Sequence, residues 1–271
     1  MMRAAFSKAE IETEISARFS SAFKLQEKLP AEVISSGIPE IDSFTLGGLP
    51  RGAITEIFGS ASSGRTSFMF SALAHATRHD EVCALVDTSN SFDPKSATRA
   101  EINCERLLWV RCANNLEHAF KATDLLLQGG GFGLVLLDLG DVPASSAKRI
   151  ISSWWYRFRR TLEPTPTALV VIAEESCVRS CATLALELRG EACLWSSSEG
   201  PASPVFINSN IRSSTSLLIS IPTPAAVDAL RRPVNKSLPH STLLKSLSFQ
   251  VQCQRPLYLN RRAGEVVVKA S

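Results

Sequence analysis

Short apolar runs recur along the chain and are separated by stretches in which the apolar residues follow helical spacing. Such runs are typical of strands that are buried on both faces of a parallel sheet. Strands that alternate with helices predict an α/β fold, with a mostly parallel central sheet and helices on both faces. The predicted core strands cover residues 54–58, 82–87, 107–112, 132–138 and 168–173.

The remaining elements follow from the same patterns. Helices are predicted over 5–24, 116–127 and 143–162. Further strands are predicted over 182–188, with one solvated face, over 216–221, and as a closing pair over 244–254 and 265–269.

These patterns divide the chain into four segments. They are an N-terminal amphipathic helix with a linker (1–34), an α/β core (35–192), a Ser- and Pro-rich insertion or linker (193–242) and the closing strands (243–271). The helix at 5–24 fits two roles, which are packing on its own core and docking on a partner subunit in a homo-oligomer.

Composition limits the class of protein. The chain has 271 residues and a net charge of +3, which allows a polyanion partner without requiring one. The seven cysteines contain no C-x-x-C pair, so we expect reduced thiols and a cytoplasmic location. No apolar run is long enough for a membrane span, so no membrane partner is expected.

The first core strand runs into a loop of glycine and serine that opens a predicted helix. The loop, Gly59-Ser60-Ala61-Ser62-Ser63-Gly64-Arg65-Thr66 followed by Ser67, fits the phosphate-binding P-loop pattern except that Arg65 replaces the lysine. Clustered backbone N–H groups and the positive end of the helix bind phosphate in such loops. A Gly/Ser turn without a ligand is the alternative, and the strand–loop–helix context favours the P-loop.

Two residues are candidates for binding Mg²⁺. The Thr66 hydroxyl would bind the ion directly. Asp138 ends an apolar run about 70 residues after the P-loop, where an acid can polarise a water molecule on the metal. A loop or cap role is the alternative for Asp138.

The predicted helix at 143–162 has one basic half. Its cations lie opposite Trp154, Trp155 and Phe158, which would pack on the sheet. A solvated face, contact with DNA phosphates and an acidic protein partner all fit this pattern. The candidate residues are Lys148, Arg149, Arg157, Arg159 and Arg160.

Three motifs occur in the order found in the RecA recombinase family, and together they resemble it. They are IDSFTLGGLPRGAITEIFGSASSGRTS before and through the P-loop, LVDTSNSFDP at 85–94, and FGLVLLD at 132–138. Within that family the chain most resembles small ImuA-type proteins, which accompany translesion polymerases in bacterial damage-induced mutagenesis. The resemblance implies a RecA-like P-loop NTPase fold, ATP with Mg²⁺ as cofactors, and Asp93 as the adenine contact.

The departures from the family pattern point to weak or no hydrolysis. Ser89 stands where the family has its water-activating glutamate, and Ser96 replaces the aromatic residue that stacks on adenine. Glu174 falls near the glutamine that senses the outer phosphate, and it is the substitute candidate for a catalytic base beside Asp138. The family's two DNA-binding loops correspond only to 140–143 and 174–181, which argues against strand exchange.

Three functions follow from these observations. The first is a DNA-repair and mutagenesis accessory of the SOS response that binds ATP, hydrolyses it weakly at most, and contacts DNA or a translesion polymerase complex. The second is a nucleotide-free adaptor that docks such a polymerase. The third is an active DNA-dependent ATPase, and Arg65 and Ser89 argue against it.

Overall fold

The computed structural model describes residues 32–195, 205–206, 216–222 and 244–255. The helix predicted at 5–24 and the strand predicted at 265–269 lie outside these residues. The described strands are β1 (Val33–Ile34), β2 (Leu49–Pro50), β3 (Ala53–Phe58), β4 (Cys83–Asp87), β5 (Leu107–Arg111), β6 (Leu134–Leu139), β7 (Ala168–Ala173), β8 (Leu184–Trp195), β9 (Val205–Phe206), β10 (Ser216–Pro222) and β11 (Leu244–Arg255). The described helices are α1 (Pro39–Phe44), α2 (Arg65–Arg78), α3 (Pro94–Arg99), α4 (Leu116–Gly129), α5 (Ala144–Ala147) and α6 (Ser152–Leu162).

The main sheet has the order β10-β11-β8-β3-β7-β6-β4-β5, and β9 pairs with β8. Six neighbouring strands in this order are all parallel to one another, and they are β8, β3, β7, β6, β4 and β5. Strands β9, β10 and β11 join as antiparallel additions at the β8 end. The predicted fold class, a mostly parallel sheet in an α/β protein, is therefore confirmed.

Apolar helix faces cover both sides of this sheet. On one side, Phe68 and Leu73 of α2 are fully buried against the strands. On the other side, Trp155 and Phe158 of α6 pack with Phe120 of α4, at ring centroid distances between 5.0 and 5.9 Å. The predicted arrangement of helices on both faces is confirmed.

The register brings four strand ends together at one edge of the sheet. Asp87 in β4 lies opposite Asp138 in β6, and Asp138 lies opposite Ile172 in β7. Ala173 in turn lies opposite Phe58, the last residue of β3. The loop that follows β3 and the two acids therefore meet at the carboxyl edge, where open α/β sheets bind their ligands.

The continuous helix predicted over 143–162 is wrong. Helix α5 ends at Ala147, and α6 begins only at Ser152, after Ile151 adopts an extended conformation with φ −65° and ψ 126°. Serine favours helix ends because its hydroxyl competes for backbone groups, and serines flank the break on both sides. As a result Ile151 is 68% exposed and does not dock on the sheet.

The structure describes one strand of the predicted closing pair. Strand β11 confirms the strand predicted at 244–254, and its described partners are β8 and β10. Strand β8 is longer than predicted, and Leu184, Ala185 and Leu186 are all buried, so both of its faces are covered there. The cause is tertiary, because Leu184 and Leu186 belong to the apolar cluster on one side of the sheet and Ala185 belongs to the cluster on the other side.

A buried glutamate in β3 fixes the turn that follows β7. Glu56 is completely buried. Its Oε1 accepts hydrogen bonds from the backbone N–H groups of Cys177 (2.5 Å) and Val178 (2.8 Å), and its Oε2 accepts one from Ser176 Oγ (2.8 Å). A charged acceptor with three donors links the strand before the loop at 59–66 directly to the turn at 176–178.

We expect Glu56→Ala to lower the free energy of unfolding by about 3 kcal/mol, because it leaves buried backbone donors without an acceptor. Urea unfolding measures this loss, and amide hydrogen exchange at Cys177 and Val178 should become faster. Glu56→Gln is the matched control, since its amide oxygen can still accept both backbone N–H groups. Equal stability of the Ala and Gln variants would contradict this role.

Candidate functional site

The loop between β3 and α2 presents backbone donors at the carboxyl edge. Ser62 and Gly64 have positive φ angles of 61° and 100°, which turn the chain sharply into the helix. In the described part of the chain, no hydrogen bond engages the N–H groups of residues 64–67. Four neighbouring N–H groups at the positive end of a 14-residue helix match the arrangement that binds phosphate in other proteins.

Ser63 adds a further donor to this loop. The residue is almost fully buried, and its Oγ has no hydrogen-bond partner among the described residues. A buried hydroxyl without a partner is unfavourable unless a ligand or water satisfies it. The residues of the loop therefore fit a bound phosphate group.

The glycines of the loop are also required by the strands that pack on it. A Cβ on Gly59 would lie 2.1 Å from the Leu188 carbonyl oxygen, and one on Gly64 would lie 2.8 Å from the Phe249 ring. Likewise, a Cβ on Gly190 would lie 2.7 Å from the Ser62 carbonyl oxygen. Strands β8 and β11 thus pack against the loop and restrict its conformation.

Asp138 lies near the end of β6 with a partly buried carboxylate. Its Oδ1 accepts a hydrogen bond of 2.8 Å from the Gly140 N–H group. Burial, together with the nearby carboxylates of Asp87 and Asp141, raises the pKa of Asp138 to about 6. Such a group favours a cation or a proton beside it.

The candidate metal ligands Thr66 and Asp138 line one small cavity of about 90 Å³. Arg65 and Asp141 line the same cavity. The Arg65 Nη1 group donates a 3.0 Å hydrogen bond to the Gly140 carbonyl, so the guanidinium lies on the loop that follows Asp138. The oxygen ligands expected for Mg²⁺ are thus brought together, but they share the cavity with a fixed cation.

Asp87, the acid next to Asp138 at this edge, has hydrogen-bond partners within the fold. The Asp87 carboxylate accepts hydrogen bonds from Ser91 N–H (3.0 Å), Phe92 N–H (3.1 Å) and the Trp109 indole (3.1 Å). It thereby fixes the turn that contains Ser89. This turn displays a hydroxyl, and no carboxylate, at the position that the resemblance assigns to the base.

Asp93, the predicted adenine contact, caps helix α3. Its carboxylate accepts hydrogen bonds from the N–H groups of Lys95 and Ser96 and from Ser96 Oγ at 2.6 Å. The hydrogen bond from the Ser96 hydroxyl is the main reason that the pKa of Asp93 is lowered. Asp93 is exposed and keeps free acceptor sites, so its role toward a nucleotide stays a prediction.

Glu174 lies in a different cavity from Asp138. It lines an open cleft of about 550 Å³ beside Gly59 and Ser60, together with Glu187 and Arg189. The two candidate catalytic acids are therefore not brought to the same cavity. The Glu174 side chain is exposed, and its catalytic role stays a prediction.

Three of the five candidate cations are paired with acids. Lys148 pairs with Glu175, Arg159 with Glu163 at 3.3 Å, and Arg157 with the nearly buried Asp124 at 2.5 Å. Within the described residues, no ion pair is recorded for Arg149 or Arg160, and both are exposed. Lys148 and Arg149 also precede α6, whereas the other three cations lie within it. The prediction that all five cations share one helix face is therefore wrong.

Sequence reasoning missed two residues that shape the site, Glu56 and Phe249. A charged residue inside the otherwise apolar strand at 54–58 is the signal that could have identified Glu56. Nothing in the local sequence relates Phe249 to the loop.

Among the described residues, no group of three or more acids, histidines or cysteines could hold a metal ion, and no helix is long and apolar enough to cross a membrane.

Comparison with known proteins agrees with this geometry. A family profile described as the RecA N-terminal domain matches residues 5–151, which is more than half of the chain. The chain is 29% identical to Protein RecA of Leifsonia xyli subsp. xyli over 161 residues, covering 54% of this chain and 45% of that protein. It is 30% identical to Protein RecA of Clavibacter michiganensis subsp. michiganensis over 161 residues, covering 54% and 44%, respectively.

A third relative, Protein RecA of Psychrobacter arcticus, is 34% identical over 111 residues, covering 41% of this chain and 31% of that protein. The chain thus matches less than half the length of each of these relatives. The mostly parallel sheet, with its glycine-rich loop at the carboxyl edge, defines an α/β protein of the P-loop class. With the family match, we conclude that the chain belongs to the RecA family.

We expect Asp138→Asn to raise the free energy of unfolding by roughly 1–3 kcal/mol at about pH 7, measured in EDTA, because it removes a buried charge. The folded protein holds the Asp138 proton to a higher pH than the unfolded chain does. Stability from this group is therefore lost as the pH rises from 3.8 to about 6.

The gain of Asp138→Asn should accordingly be almost lost at the lower end of this range, which urea unfolding at about pH 4 and pH 7 would measure. Asp141→Asn is the control, because Asp141 is exposed in the same loop and should change stability by less than about 0.5 kcal/mol. A loss of stability in Asp138→Asn at neutral pH would contradict the unfavourable burial of this charge.

Proposed function

We propose that this chain is a RecA-like accessory protein of DNA repair and mutagenesis, which binds ATP and hydrolyses it weakly or not at all. The free N–H groups of residues 64–67, beside the unpartnered Ser63 hydroxyl, carry the nucleotide part of this proposal. Membership of the RecA family supports a role in DNA repair or recombination. The ImuA-type assignment and a place in the SOS response rest on the sequence resemblance.

Weak hydrolysis follows from where the acids lie. Ser89 cannot act as a general base unaided, and that help is typically worth about 10²–10⁴ in rate. The substitute candidate, Glu174, lines a cavity other than the one that contains Asp138 and Thr66. ATP would then act by binding, as a ligand that changes the conformational state of the protein, and not through the energy of its hydrolysis.

Two short connections support a role other than strand exchange. Only residues 174–183 join β7 to β8, and Glu56 holds their central part. After β6, the chain enters α5 within five residues. The resemblance places the DNA-binding loops of RecA recombinases at these two connections, and neither is long enough here to wrap a strand.

A nucleotide-free adaptor that docks a translesion polymerase is the second candidate. One observation favours it, since packing against Leu188 and Phe249 accounts for Gly59 and Gly64 without a phosphate. An active DNA-dependent ATPase has no comparable support. Nucleotide binding therefore separates the two leading candidates.

DNA and a polymerase complex are the proposed partners. Of the five candidate cations, Arg149 and Arg160 are the ones exposed without a recorded ion pair in the described chain. Arg157 is a poor choice for a test, because its removal would leave the nearly buried Asp124 without its cation. Homo-oligomer formation through residues 5–24 is also part of the proposal.

We expect ATP to raise the melting temperature by roughly 5–10 °C when its concentration is about 100 times the dissociation constant. Thermal shift with ATP, ADP and a non-hydrolysable analogue measures this. Ser63→Ala removes a buried hydroxyl that lacks a partner, so the free protein should melt no earlier while the shift from ATP becomes smaller. The absence of a shift with all three nucleotides would favour the adaptor.

We expect the double variant Arg149→Gln/Arg160→Gln to weaken DNA binding for all sequences alike. It should flatten the slope of log affinity against log salt by roughly one to one and a half units, since each phosphate contact on single-stranded DNA contributes about 0.7. Fluorescence anisotropy with labelled single-stranded DNA measures the slope. Arg159→Gln is the control, because Arg159 already pairs with Glu163.

If the double variant binds DNA as the wild type does but no longer binds the polymerase complex, these arginines contact the protein partner. Unchanged binding to both partners would overturn the proposed role of Arg149 and Arg160.

A further inference from the structure

The side chain of Arg65 leaves the phosphate-binding loop and reaches the opposite wall of the site. Its Nη1 group donates a 3.0 Å hydrogen bond to the carbonyl of Gly140, 75 residues further along the chain. The hydrogen bond joins the start of α2 to the loop after β6. A lysine has no second nitrogen that could hold this carbonyl and still face the cavity.

Gly140 also connects Arg65 with Asp138. Its N–H group donates to Asp138 Oδ1 at 2.8 Å, while its carbonyl accepts from Arg65. A Cβ on Gly140 would lie 2.9 Å from Asp138 Oδ1 and 3.4 Å from Arg65 Nη1. The guanidinium and the carboxylate therefore flank the same residue at the edge of the cavity that Thr66 also lines.

The chemistry of the guanidinium suits this position. A guanidinium carries a positive charge and five N–H donors in a planar fork. The one recorded hydrogen bond from Arg65 to a described residue goes to Gly140, so donors are left to face the cavity. Phosphate oxygens are good partners for such donors.

We propose that Arg65 takes the place of Mg²⁺ in this site, so that the chain binds the phosphates of ATP or ADP without a divalent cation. This inference rests on the proposed nucleotide binding and defines how it occurs. The positive charge is built into the chain, beside the free N–H groups of residues 64–67. The conclusion departs from the metal requirement that the resemblance implies.

The alternative is that Mg²⁺ binds beside Arg65. Asp138, Asp141 and the Thr66 hydroxyl supply oxygen ligands in the same cavity. A divalent ion between them would lie close to the fixed guanidinium, and two neighbouring cations repel each other. The guanidinium already supplies a positive charge in this cavity, so we favour the guanidinium alone.

Isothermal calorimetry with ATP and with ADP, in excess EDTA and then in excess Mg²⁺, tests the proposal. We expect the wild-type dissociation constants in the two media to agree within about threefold, because metal contributes little to binding. Arg65→Lys should bind about tenfold more weakly in EDTA, the change expected for one lost charge-assisted hydrogen bond, and should recover when Mg²⁺ is added.

Arg78→Lys is the matched control, because Arg78 lies on the same helix at its far end and pairs with Glu101. It should bind nucleotide as the wild type does in both media. Wild-type binding that requires Mg²⁺ would overturn this inference and leave the proposed function intact. Arg65→Lys binding as tightly as the wild type in EDTA would also overturn it. The absence of binding in both media would overturn the proposed function as well.

Discussion

The contact between the loop at 59–66 and the strands β8 and β11 is the constraint on which the site depends. Gly59 lies against the Leu188 carbonyl, Gly64 against the Phe249 ring, and Gly190 against the Ser62 carbonyl. No side chain fits at any of these three glycines without displacing backbone or a fully buried ring. The last described strand of the chain thereby fixes the conformation of a loop that lies almost 190 residues earlier.

The two acids at the ends of β4 and β6 occupy equivalent positions in neighbouring strands but have different hydrogen-bond partners. Asp87 and Asp138 are direct neighbours across the sheet. Asp87 receives three N–H donors and acts as the anchor of the turn at 88–92. Asp138 receives one donor and faces the cavity, so it retains the capacity to interact with a ligand. The difference lies in the local donors and not in the strand.

The sequence predicted those elements whose own pattern determines them. The strand at 168–173 has the predicted bounds because all six residues are buried in the centre of the sheet, where a continuous apolar run has one interpretation. The prediction of one helix over 143–162 is wrong, because the apolar spacing of the sequence continues across a break between two helices that serines favour. The ion pairs of Lys148 and Arg157 were not predictable, since their partners Glu175 and Asp124 come from other elements.

The separation of Glu174 from Asp138 supports the proposal that this chain hydrolyses ATP weakly or not at all. A base that activates water must lie within hydrogen-bond reach of the attacking molecule, close to the phosphate and its cation. Glu174 opens into the cleft beside Gly59, while Asp138, Thr66 and Arg65 surround the smaller cavity. If hydrolysis is weak as proposed, a carboxylate that strengthens it would belong on the turn at 88–92. Asp87 already anchors this turn, and Ser89 occupies the position that the resemblance assigns to the base.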